Sequence, residues 1–303
     1  MKCKMCGNEK YSTLVNFKKD GIKVVKCRNC DLVQLDPITV KTLNNADDYE
    51  GLEDITLAYE YFYELRFPQF QKDLQIIQKY FQKSNLVDIG SSYGLFLSVA
   101  KEKGFNVAGF EPSLKSVEIC RKKFKGLKVI NREFNPSEIP FKKTDVFTMW
   151  SVFEHIMDPD ALLKKITKEM GKDSLLCIRV PNYNSLLARL IIIINKASFG
   201  LLQSPARALY LMDSEYKHFF HYTISTLGKM LERNGLSIVE SYKENSLRYD
   251  LFSLRKRITE REGDLNFMNN PLSKFVLLCV LKFSELFSVQ DEIVIFCKKK
   301  SAL

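Results

Sequence analysis

"LVDIGSSYGLFL", Leu86 to Leu97, is an apolar run ending in an acid and a glycine, then a small-residue turn, then a second apolar run. It reads as a buried strand feeding a tight turn and a helix. The alternation continues outward. Strands are predicted at Leu86–Ile89, Asn106–Phe110, Lys128–Ile130, Asp145–Trp150, Leu175–Val180, Leu236–Ser241 and Glu292–Cys297, with helices at Gly94–Lys103, Ser113–Lys125, Asp160–Met170 and Thr223–Asn234. This order implies an α/β fold: a doubly wound, seven-stranded, mainly parallel Rossmann-like sheet covered on both faces. Ligands of such sheets sit at the carboxyl ends of the strands.

Two kinds of ligand turn compete for the stretch. The dinucleotide fingerprint G-x-G-x-x-G, counted from Gly90, puts Ser92 and Leu95 at its second and third glycines, so two of three fail. An acid followed by G-x-G-x-G fits better, with Asp88, Gly90 and Gly94 in place and only Ser92 departing. A small residue there still allows close backbone approach. The next predicted strand ends in "VAGFEPS", and Glu111 lies where a carboxylate can accept both ribose hydroxyls of an adenosine.

On "LVDIGSSYGLFLSVAKEKGFNVAGFEPS", "TDVFTMWSVFEHIMDPDALLKKITKEM", "SLLCIRVPN" and "EYKHFFHYTISTLGKMLERNGLSIVE", the sequence resembles the class I S-adenosylmethionine-dependent methyltransferases. The resemblance covers nearly all of Asn85–Lys300. It is narrower still to a bacterial subgroup with a four-cysteine zinc-binding amino terminus, associated with sugar, surface-polysaccharide and secondary-metabolite methylation. It implies that Asp88, Gly90, Ser91, Tyr93 and Gly94 form the methyl-donor loop and that Glu111 holds the ribose. Trp150 and Ser151 would then face the sulfonium and the substrate, and Phe134 would stack on the adenine.

Cys3-x-x-Cys6 and Cys27-x-x-Cys30 form two close pairs around "YSTLVNFKKDGIKVVKC", which alternates apolar and polar about Asp20-Gly21 in the manner of a hairpin. Two such pairs close a tetrahedral site, and four sulfur ligands suit structural zinc in a ribbon. The ribbon is expected over 1–45, either as a metal clip docked on the main domain or, given its lysines, as a nucleic-acid reader. Residues 46–83 read as a linker and an aromatic helix, kinked or restarted at Pro68. There Tyr59, Tyr61, Phe62, Tyr63 and Phe67 form either a lid or a packing face. The methyltransferase domain takes 84–303, with helical insertions at about 183–215 and 243–290. The first insertion is too long and apolar for a loop, and suits either a bulky, lipid-bearing acceptor or simple core packing.

The three histidines all fall in suggestive places. His155 follows Glu154 on the turn after a strand, and His218 and His221 flank two phenylalanines in "KHFFHY". Each is a candidate base or substrate contact, and each can equally serve packing or a backbone hydrogen bond. Glu154, His155 and His218 also have the chemistry of a metal site that orients a substrate oxygen.

The net charge of +10 favours polyanionic partners without choosing among them. Six positive and one negative residue from Lys115 to Lys128 keep an RNA acceptor open. The favoured acceptor is a small molecule or glycan precursor, methylated on oxygen or carbon, and a non-catalytic scaffold is the remaining alternative. Met1-Lys2-Cys3-Lys4 has no secretory pattern, and Arg189, Asn195, Lys196, Lys282 and Glu285 break the longest apolar runs. The expected setting is cytoplasmic, with peripheral membrane contact open.

Overall fold

The computed structural model describes residues 2–38, 55–212, 217–246 and 271–300. Its first strands are β1 (Tyr11–Phe17), β2 (Ile22–Cys27) and β3 (Val33–Asp36), an antiparallel ribbon in which Phe17 pairs with Ile22 across the turn at 18–21. Gly21 takes φ +66° there, a conformation that costs glycine little. The hairpin follows the sequence reading. The third strand was not anticipated, because "LVQLD" is short and its partners lie elsewhere in the chain.

The helix α1 (Ile55–Gln78) runs through Pro68 rather than restarting at it. A mid-helix proline costs about 3 kcal/mol. Leu65, Phe70, Leu74 and Ile77 are buried on either side, and side chains of this kind return about 1.5–3 kcal/mol each when fully buried. Burial therefore wins. Within the aromatic patch, Tyr63 stacks on Phe67 with centroids 4.9 Å apart, while the side chains of Tyr59, Tyr61 and Phe62 lie outside the described residues.

The strands of the main sheet are β4 (Asn85–Ile89), β5 (Asn106–Phe110), β6 (Lys128–Ile130), β7 (Thr144–Trp150), β8 (Met170–Pro181), β10 (Leu236–Glu244) and β11 (Glu292–Lys299). A two-residue β9 (Phe220–His221) belongs to the ribbon sheet instead. The order across the sheet is β10-β11-β8-β7-β4-β5-β6. β4 runs parallel to β5 and β7, and β11 is antiparallel to β10 and β8. Strand order reverses about β4, which makes its carboxyl end the switch point where ligands of doubly wound sheets bind.

The helices α2 (Leu95–Glu102), α3 (Leu114–Lys123) and α7 (Ile224–Arg233) sit one or two residues inside the predicted spans, while α4 (Pro159–Glu169) begins one residue before its predicted start at Asp160. Caps set their starts: Ser113 accepts from the Ser116 amide, Asp158 from that of Ala161, and Thr223 and Thr226 cap reciprocally. Met170, placed in a helix by sequence, opens β8 instead. The first insertion forms α5 (Leu186–Ala197) and α6 (Ser204–Leu209), and the second contributes α8 (Pro271–Leu286). Of the second insertion, residues 247–270 lie outside the described ones.

The chain divides into two compact units. One holds 1–45, 150–244 and 289–303. Inside it β3 pairs with β9, Val33 opposite His221 and Gln34 opposite Phe220, so the ribbon sheet is completed by "KHFFHY". Arg179 is fully buried in this unit, paired with Glu292 at 2.9 Å and with Glu244. The other unit holds 46–149 and 245–288. Its core includes Phe70 edge-on to Phe96, and Phe134 edge-on to Phe110 and Phe147.

Candidate cofactor loop and histidine cluster

The turn after β4 alternates in hand. Gly90, Ser92 and Gly94 have φ of +74°, +46° and +76°. The first amides of the turn reach the end of β5, since Gly90 and Ser91 N–H both donate to the Phe110 carbonyl at 2.8 and 3.1 Å. Gly94 is fixed twice over: a Cβ there would lie 2.3 Å from the Cys120 sulfur, on a backbone that L residues rarely adopt. Ser92 adopts the left-handed conformation that a glycine would take freely.

Glu111 closes the turn from the next strand. Its carboxylate accepts from the Ser92 amide at 2.8 Å and from the Ser113 amide at 2.9 Å. Each oxygen keeps a lone pair, and burial raises the pKa of the group. Asp88 lies deeper, 2% exposed, accepting from the Thr148 hydroxyl at 2.6 Å. Burial, added to by the nearby Glu111, pushes its pKa up to about 8. Tyr93 and Phe134 are buried beside the loop and in the aromatic core of the same unit.

In the unit with the ribbon, Trp150 ends β7 and Ser151 follows it. Ser151 has φ +57° and donates its amide to Arg179 O, while the Arg179 guanidinium lies 5.7 Å from the Trp150 ring centroid. Non-glycine residues held at positive φ concentrate at functional sites.

The three histidines converge. A 3-10 turn at Phe153–His155 is tied to the segment before α7 by the Phe219 amide, which donates to Glu154 O at 2.9 Å. His155 Nδ1 bonds Lys217 O and His218 Nδ1 bonds Leu209 O, each at 3.0 Å. The His155 and His218 rings are 4.9 Å apart, and those of His218 and His221 5.4 Å. His221 is deepest, 2% exposed, with its ring edge-on to Tyr210 and its Nε2 without a hydrogen-bond partner. Burial, then neighbouring imidazoles, hold His218 well below the usual histidine pKa, and burial pushes His221 down to about 3.

The four ribbon cysteines also meet. Cys3 and Cys30 sulfurs are 3.5 Å apart and those of Cys6 and Cys27 3.6 Å, all four being within 4.8 Å of one another. A disulfide would need about 2.05 Å. Tetrahedral zinc with bonds of about 2.3 Å separates its sulfurs by roughly 3.8 Å, so the cage fits that ion.

Residues 61–241 match the profile of a family described as a methyltransferase domain. The chain belongs to that family. No curated protein matches the chain. Among solved structures it is similar to the cyclopropane synthase MmaA2 from Mycobacterium tuberculosis, at TM-score 0.52 and 15% identity, with 76% of this chain and 84% of that one covered. It is also similar to the mycolic acid cyclopropane synthase CmaA1, solved with SAH and CTAB, at 0.51 and 15%, with the same coverage. A putative sarcosine dimethylglycine methyltransferase from Galdieria sulphuraria aligns at 0.51 and 12%, over 79% and 86% of the two chains. These likenesses fix the fold.

In a methyltransferase domain the nucleoside and methionine parts of S-adenosylmethionine need polar partners on this loop. The residues fit: Glu111 has lone pairs to spare, and the Ser91 hydroxyl is buried without a hydrogen-bond partner. Two features escaped the sequence reading. Ser92 supplies the amide that anchors Glu111, a contribution of the backbone that side-chain identity hides. Arg179 sits mid-strand in "LLCIRVP", and the one available signal was a lone charge in an otherwise apolar run.

Proposed function

We propose that this S-adenosylmethionine-dependent methyltransferase domain methylates a hydroxyl or activated carbon of a small molecule or glycan precursor. The observation that supports an acceptor of this kind is the convergence of His155, His218 and His221 from segments more than sixty residues apart. Imidazoles suit an acceptor that must lose a proton as it is methylated. S-adenosylmethionine supplies an electrophilic methyl group. Glu111 binds the ribose hydroxyls with its outward lone pairs, Ser91 and the loop amides meet the methionine portion, and Trp150 and Ser151 border the acceptor.

Cys3, Cys6, Cys27 and Cys30 hold a structural zinc, in the reducing setting of the cytoplasm where thiolates persist. Among the described residues no helix is long and apolar enough to cross a membrane. A second reading, an RNA acceptor, is favoured by exposed Arg121, Lys122, Lys123, Lys125 and Lys128 on and after α3.

Incubating purified protein with methyl-labelled cofactor and a panel of nucleotide-linked sugars, glycan precursors and RNA tests both. Label in the sugar or glycan fraction is the expected result. Label confined to RNA, lost as salt rises, would transfer the assignment to the second reading. One equivalent of zinc by elemental analysis, with loss of ribbon structure on chelation, is expected for the cysteine site.

A further inference from the structure

We propose that Glu154, His155 and His218 bind a divalent transition cation, separate from the cysteine cage, with positions open to an acceptor oxygen. The three ligand atoms lie within 4.8 Å of one another, with Glu154 Oε1 and His155 Nε2 3.9 Å apart. Bonds of about 2.1 Å set tetrahedral ligand atoms roughly 3.4 Å apart, so closing on an ion asks for side-chain shifts of about 1 Å or less.

The second shell points the same way. Both imidazoles present Nδ1 to a backbone carbonyl, of Lys217 and of Leu209. A carbonyl only accepts, so each Nδ1 carries the proton and each Nε2 keeps its lone pair. This is how proteins fix the tautomer of metal-ligating histidines. Glu154 is fully buried, and His155 and His218 are partly buried. Two imidazoles and one carboxylate suit manganese, cobalt or zinc and leave sites for water or a hydroxyl. The cation would act as a Lewis acid that lowers the pKa of that oxygen's proton, in place of base catalysis by His155 and His218, whose Nε2 lone pairs it takes. Its catalytic part rests on the methyltransferase reading; its binding does not.

Mn2+ is the probe, because it disfavours the thiolates of the ribbon. Titration of the zinc-loaded full chain, followed by loss of the free-ion electron resonance signal, is expected to show one site. Glu154→Gln and His218→Ala should each weaken it about tenfold or more. Circular dichroism checks their folding. Calorimetry with S-adenosylmethionine should give unchanged affinity in both variants, which separates failure of the metal site from failure of the cofactor reading. The proposal is overturned if the wild type takes up neither Mn2+ nor Co2+ at millimolar concentration, or if uptake survives both substitutions.

A different surface carries a second inference: the loop joining α5 to α6 docks on an anionic lipid surface. Phe199 and Leu201 are 95% and 85% exposed, and Ile193, Ile194 and Leu202 are exposed beside them. The tip is built rather than frayed: Gly200 N–H donates to Asn195 O at 2.8 Å and Leu202 N–H to Ser198 Oγ at 3.1 Å. Arg189 and Lys196 are exposed on the same helix. Arg207 pairs with Asp20 at 2.6 Å and Gln203 donates to Asn16 O, which brings exposed Lys18 and Lys19 to its edge. An apolar tip rimmed by cations matches an anionic headgroup layer over an acyl interior.

Co-sedimentation with phosphatidylglycerol vesicles is expected, with little binding to phosphatidylcholine alone. Phe199→Ser with Leu201→Ser, and separately Lys18→Glu with Lys19→Glu, should each reduce it tenfold or more. No binding to anionic vesicles, or unchanged binding by the variants, overturns the inference. So does a lipid-independent dimer that the Phe199 and Leu201 changes abolish.

Discussion

Glu111 and Ser92, nineteen residues apart, are joined by a 2.8 Å bond from the serine amide to the glutamate carboxylate. The acid proposed to bind the ribose and the middle of the turn after β4 are therefore one structural object. Removing the acid should harm both. Hydrogen bonds to a charged group are worth about 1.5–3 kcal/mol. Glu111→Ala is expected to weaken S-adenosylmethionine binding by about tenfold to a hundredfold. Calorimetric affinity within twofold of wild type would remove Glu111 from the site.

The loop glycines predict opposite outcomes for neighbouring substitutions. Gly94→Ala places a methyl group against the Cys120 sulfur at positive φ and should destabilise the domain by about 1–3 kcal/mol. Ser92→Gly relieves a left-handed serine and should be neutral or stabilising by about 1 kcal/mol. Urea midpoints measure both, and equal effects of the two changes would contradict the loop geometry.

Asp88 makes stability depend on pH. Its folded pKa, about 8, stands above the ordinary aspartate value, so the folded chain binds more protons than the unfolded one in between. Its contribution is present in full below pH of about 4 and is lost as pH rises through about 8. Asp88→Asn should flatten that part of the profile. An unchanged slope of urea midpoint against pH would show that Asp88 is ionised in the fold.

Arg179 is the buried cation of the ribbon-bearing unit, held between Glu244 and Glu292. Arg179→Ala strands buried carboxylates and should cost about 3–5 kcal/mol. Glu292→Gln should cost less, because Glu244 still pairs with the guanidinium. Thermal denaturation ranks the two, and the reverse order would show that Glu292 carries the network.

The sheet was legible because period and punctuation agreed from Leu86 onward: apolar runs of strand length, then small-residue turns, then amphipathic helices. The turn after β4 was legible because its glycines are backbone requirements written as residue identities. The union of β3 with β9 was not, since two short segments nearly two hundred residues apart carry no local signal of pairing. That the helix does not restart at Pro68 was hidden for a related reason. The proline's local penalty is fixed, while the compensation comes from partners that sequence does not place. The histidines could be singled out by position, but the shared tautomer of His155 and His218 depends on the carbonyls of Lys217 and Leu209, which only the folded chain brings to them.

The pairing of Val33 with His221 bears on how this chain can be cut. A fragment ending near residue 45 would leave β3 as a bare edge, open to pairing with other chains. A fragment beginning there would strip β9 of its neighbour and loosen the strand from which His221 projects. The cysteine-rich segment is thus no detachable tag on a finished enzyme. Its boundary in sequence is not a boundary in folding, and gene fusions or truncations that respect the first will violate the second.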